Sequence, residues 1–93
     1  MTDTQQLIAS TCDEIKELLL KKNKAYGDSA LNPVRVFSKA DPIEGINIRM
    51  DDKLSRIARG SEEGEDVLLD LVGYMVLKLI AKRREDEQNN KKD

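Results

Sequence analysis

At 93 residues the chain has room for one hydrophobic core and no second domain. A single cysteine, Cys12, excludes an intrachain disulfide, and the absence of histidine removes zinc-finger, Ser-His-Asp and Cys-His chemistry. The net charge of -2, with 37 % charged residues, two tyrosines, one phenylalanine and no tryptophan, describes a mixed-sign surface, not a general nucleic-acid binder or a base-stacking platform.

The polar segment Met1 to Gln6 does not read as a signal or transit peptide. A first helix is expected from about Asp3 or Thr4 to about Ala25, because Leu7, Ile8, Thr11, Cys12, Ile15, Leu18 and Leu19 recur at helical spacing. The same line continues to Lys22 and Tyr26, where a cation and a phenol occupy positions that periodicity assigns to the core. Gly27 should end the helix, and Tyr26 to Pro33 reads as a loop rich in Gly, Asn and Pro. The connection to the next helix is about 15 residues, long enough to hold a functional loop or a short helical turn near Val34 to Ser38.

The second helix announces itself with Asp41 as N-cap, Pro42 in the first helical position and Glu44 three residues after the cap. Its apolar line is Ile43, Ile46, Met50, Leu54 and Ile57, and Gly60 is the expected C-cap. A third helix is expected to begin in the acidic run Ser61 to Glu65 and to reach about Glu87. From Val67 to Ala81 it is apolar on nearly every side, broken only by Asp70, Gly73 and Lys78, too short a run to span a membrane. One face should pack within the chain and another against a second subunit. Residues 82–93 mix charges and amides and read as a frayed tail beyond a helical domain spanning 1–81. The expected fold is therefore all-α, a three-helix bundle completed by homo-oligomerisation, in a protein located in the cytoplasm, or in the host cytoplasm if viral.

Two constellations could carry chemistry. On the third helix Asp66 and Asp70 stand one turn apart beside an apolar segment, so both need a cation nearby. That cation could be a hard metal such as Mg2+ held by the carboxylates, or Arg49, Lys53 or Arg56 in an interhelical salt-bridge network. The second constellation is basic: Lys21, Lys22, Lys24, Tyr26 and Gly27, followed by Asn32, Arg35 and Lys39. Free backbone N–H groups in a Gly-Ser-Asn loop together with Lys and Arg suit a phosphate, and a lysine on the core line calls for an anion to meet it. Alternatively, these lysines only complement the dipole at the end of the first helix.

A third pattern, Asp13-Glu14-Ile-Lys-Glu17 and then Glu63-Gly-Glu-Asp66, is similar to the paired acidic motifs of all-helical nucleoside triphosphate pyrophosphohydrolases of the MazG and dimeric dUTPase group, with Asp in place of the first Glu and a longer gap. More of the chain, roughly residues 10–80, resembles the nucleotide modification associated domain 1 family. The residues that carry this are Lys22-Asn-Lys-Ala-Tyr-Gly27, Arg49-Met-Asp-Asp-Lys-Leu-Ser-Arg-Ile57 and Glu65-Asp-Val-Leu-Leu-Asp-Leu-Val-Gly-Tyr74. Ala30-Leu31 stands where many members have a tryptophan. The resemblance implies a small helical, mostly phage-encoded protein tied to nucleotide modification, with Lys22, Tyr26, Gly27, Lys53, Arg56 and Tyr74 toward a nucleotide or other phosphate ligand and Asp66 and Asp70 toward a metal. Three functions remain open at this stage: a magnesium-dependent enzyme on a nucleoside phosphate, a non-catalytic sponge that sequesters a host nucleotide signal as an anti-defence protein, or a structural interaction module.

Overall fold

The computed structural model describes residues 2–32, 41–60 and 66–90. It contains three helices, α1 (Asp3–Tyr26), α2 (Pro42–Arg59) and α3 (Val67–Asn90), in an all-α arrangement. None of the helices among the described residues is long and apolar enough to cross a membrane.

Each terminus has a local cause. The hydroxyl of Thr2 accepts the Gln5 backbone N–H at 3.2 Å while the Gln5 side chain accepts the Thr2 N–H at 2.9 Å, a reciprocal cap that starts α1. Gly27 ends it with φ of 66°, a left-handed value that costs a glycine nothing. Asp41 accepts the Glu44 N–H at 2.8 Å, Pro42 follows it, and Gly60 closes α2 in the left-handed region with its N–H on the carbonyls of Arg56 and Ile57. Gly27, Asp41, Pro42 and Gly60 act as the sequence predicts, whereas the Thr2–Gln5 cap adds to it.

The third helix differs at both ends. Asp66 is not inside it; its carboxylate accepts the Leu69 N–H at 2.9 Å, so the residue works as the cap and α3 begins at Val67. At the other end the expected frayed tail is helical as far as Asn90. Lys, Arg, Glu and Gln are good helix formers, and no Gly or Pro interrupts residues 82–90, so local propensity extends a helix that no packing requires. The short turn expected near Val34 to Ser38 lies outside the described residues.

Packing is uneven. The α3 helix lies along α2 for much of its length and meets α1 over a short stretch. A small core joins Ile46, 1 % exposed, to Leu31 and Ala81, with Ile43, Met50, Tyr74, Leu77 and Ile80 packed around it. Leu31 reaches this core because Gly27 reverses the chain and the backbone N–H groups of Leu31 and Asn32 both close on the Asp28 carbonyl. In contrast, residues 2–14 of α1 are all exposed, including Leu7, Ile8 and Cys12, which the sequence assigns to the core line. The radius of gyration is 15.6 Å, against about 12 Å for a compact chain of this length.

Candidate functional site

Where the second half of α1 crosses α3, the helices, the 27–30 turn and one residue of α2 enclose a crevice of about 350 Å³. That volume lies within the range of small-ligand sites. Gly73 permits the crossing: a Cβ there would stand 3.2 Å from the Leu19 Cδ2, so any larger residue presses on α1. Asp70, Gly73, Tyr74 and Leu77 share the inner face of α3 because their spacings of three and four residues stack them in one line. From α1 come Leu18, Leu19, Lys22, Asn23 and Tyr26, so the walls alternate apolar and polar groups.

Asp70 is the electrostatic centre. Lys22 Nζ of α1 donates to its Oδ1 at 3.2 Å, and Lys53 Nζ of α2 meets its Oδ2 at 3.3 Å. Three helices thus contribute one charge each to a single point. The Lys53 side chain is 13 % exposed and that of Asp70 20 %, whereas Lys22 at 47 % remains open to solvent. An ion pair this sheltered costs desolvation, so its geometry matters more than its Coulomb energy. Arg49 adds a further cation at the wall, while Tyr26 stands at the rim, 73 % exposed.

A second acid, Asp28, braces the wall. It takes the Asn23 side-chain amide at 3.3 Å and the Asn32 amide, and Arg84 of α3 comes within 3.9 Å. The turn is thereby tied to the last turns of α1 and to α3. Sequence reasoning misses Asp28, because its partners are set by the reversal at Gly27 and by a residue of another helix. Leu18 and Leu19 were legible as part of the α1 line, but only as core.

Of the residues singled out from sequence, Lys22, Tyr26, Gly27, Arg49, Asp70 and Tyr74 line the crevice, and Lys53 joins them through Asp70. Lys24 lies on the exposed side of α1 and does not line it. Arg56 pairs with Asp52 one turn back on its own helix, at 3.1 Å, and also stands outside the lining. Arg35 lies outside the described residues.

The two aspartates singled out on the third helix stand in different surroundings. Asp66 Oδ1 accepts at the α3 N-terminus, and Asp70 faces two lysines. Among the described residues no group of three or more Asp, Glu, Cys or His side chains could hold a metal ion. The acidic pattern of α1 likewise stays on the surface: Lys16 pairs with Asp13 at 3.5 Å and with Glu17 at 3.9 Å, all well exposed, and Glu63 lies outside the described residues.

Comparison with protein-family models, with curated proteins and with solved structures finds no match for this chain.

Proposed function

We propose that this protein binds a small phosphate-bearing ligand of nucleotide size in the crevice between α1, the 27–30 turn and α3. One observation carries this reading: ammonium groups from α1 and α2 converge on one sheltered carboxylate of α3, beside a cavity whose walls combine leucines and tyrosines with the polar 27–30 turn. Cations that serve only the surface do not need to meet inside. Here Lys22, Lys53 and Arg49 carry three positive charges beside the two carboxylates of Asp70 and Asp28, a balance that favours an anionic ligand. The apolar walls and the two phenols offer surface for a base or another planar group.

The sequence resemblance to the nucleotide modification associated domain 1 family supports the same ligand class on overlapping residues, Lys22, Tyr26, Gly27, Lys53 and Tyr74. Binding without turnover is the form of this function that the described residues favour. Both oxygens of Asp70 face lysines, an arrangement that suits a charge partner more than a general base.

Titration calorimetry of the full chain against nucleoside mono-, di- and triphosphates, cyclic nucleotides and inorganic phosphate tests the proposal. Saturable binding of at least one phosphate compound is expected, weakened in Lys22→Ala, with the compound recovered chemically intact. No binding across the panel would sink it, and phosphate release in the presence of magnesium would replace it with the hydrolase reading.

A further inference from the structure

The face of α3 opposite the crevice carries Leu68, Val72, Met75 and Leu79, at spacings of four, three and four residues, with Val76 beside them. That is the alternation of a helix–helix seam, and no charged side chain falls on the strip between its ends. Yet all five are open: Leu68 is 70 % exposed and Met75 56 %. We propose that a second copy of this chain covers this strip, its α3 running antiparallel to the first about a two-fold axis near residues 73 and 74.

Three observations select this occupant. The chain exposes 7475 Å², while a folded monomer of this length exposes about 5,400 Å². The surplus of about 2,000 Å², shared between this strip, residues 2–14 and the 82–90 extension, leaves room for the roughly 800 Å² per partner that a stable dimer buries. Secondly, the strip is self-complementary in the antiparallel sense: with Val72 opposite the partner's Met75, Leu68 comes opposite the partner's Leu79, and one interface satisfies both copies. Thirdly, the charges fix the direction. The strip begins beside Asp66 and is followed by Lys82, Arg83 and Arg84, with Glu85, Asp86 and Glu87 beyond them. With the axis near residues 73 and 74, antiparallel pairing sets Asp66 of each copy near the partner's Lys82, whereas parallel pairing would set the Lys82–Arg84 trios against each other. Leu54 of α2, half exposed, shares an open groove with Leu71 and Met75 and widens the contact.

The test uses the full chain. Sedimentation velocity at about 10 µM should give a dimer or a multiple of it, and Val72→Glu should weaken association at least tenfold. Because Val72 is exposed in the single chain, this change leaves the internal core untouched. A wild-type monomer at that concentration, which would leave the strip to an unlike partner, or a Val72→Glu protein that associates as the wild type does, overturns the proposal. A second measurement keeps it falsifiable if Val72→Glu fails to fold. A nitroxide on Arg83→Cys in a Cys12→Ser background should report an inter-copy distance of about 30 Å for the antiparallel pair, from 1.5 Å of rise per residue on either side of the axis. A distance of about 10 to 15 Å, the spacing of parallel neighbours, or no inter-copy distance at all, overturns it.

Discussion

The two faces of α3 are made of similar residues and meet opposite fates. On the inner face Asp70, Gly73, Tyr74, Leu77 and Ala81 are covered by α1, α2 and the 27–32 turn; on the outer face Leu68, Val72, Met75 and Leu79 stay open. Periodicity marks both as burial surfaces and does not say against what. The difference lies in the irregular residues. Gly73 lets α1 approach, and Asp70 gathers two lysines, so the inner face has directional features where the outer has only shape.

Substitutions on the inner side should break this contrast in graded fashion. Ile46→Ala removes the most deeply covered side chain and should cost about 3 kcal/mol in urea unfolding, a large share of a small domain's stability. Asp70→Ala leaves two ammonium groups facing each other in a sheltered place; a loss of about 2 kcal/mol is expected by the same measurement, and a change under about 0.5 kcal/mol would mark the cluster as a surface network. Lys53→Ala should lower phosphate-ligand affinity about tenfold, equivalent to about 1.4 kcal/mol, in calorimetry. Gly73→Ala sharpens the comparison further. Alanine gains about 1 kcal/mol of helix propensity but presses on Leu19, so stability should move by less than about 1 kcal/mol while ligand affinity falls a few-fold as α1 and Lys22 shift. Lys24→Ala, outside the crevice, should leave both stability and affinity unchanged within error, which separates local placement from bulk positive charge.

Much of the fold was legible because its signals are local. Asp41, Pro42 and Gly60 act within one helical turn, so the chain around each of them decides its role. The pairing of Asp70 with Lys53 was also readable, since a carboxylate on an apolar face calls for a cation and α2 offers one in register. The start of α3 was less legible for a physical reason: an acid near a helix start suits the first turn and the cap alike, and only the position of the first helical residue shows that Asp66 caps. Residues 82–90 mislead, since a composition poor in apolar groups also has high helix propensity. Asp28 and Leu31 could not have been found, as both owe their surroundings to the reversal at Gly27.

That reversal has a consequence for affinity. Leu31 is 8 % exposed and packs with Ile46 and Ala81, so the segment walling the crevice is anchored in the same core that holds α2 and α3 together. Its conformational entropy is surrendered when the chain folds, before any ligand arrives. An incoming molecule then meets a preorganised wall and need not freeze a floppy one, which lets a modest number of polar contacts give useful occupancy.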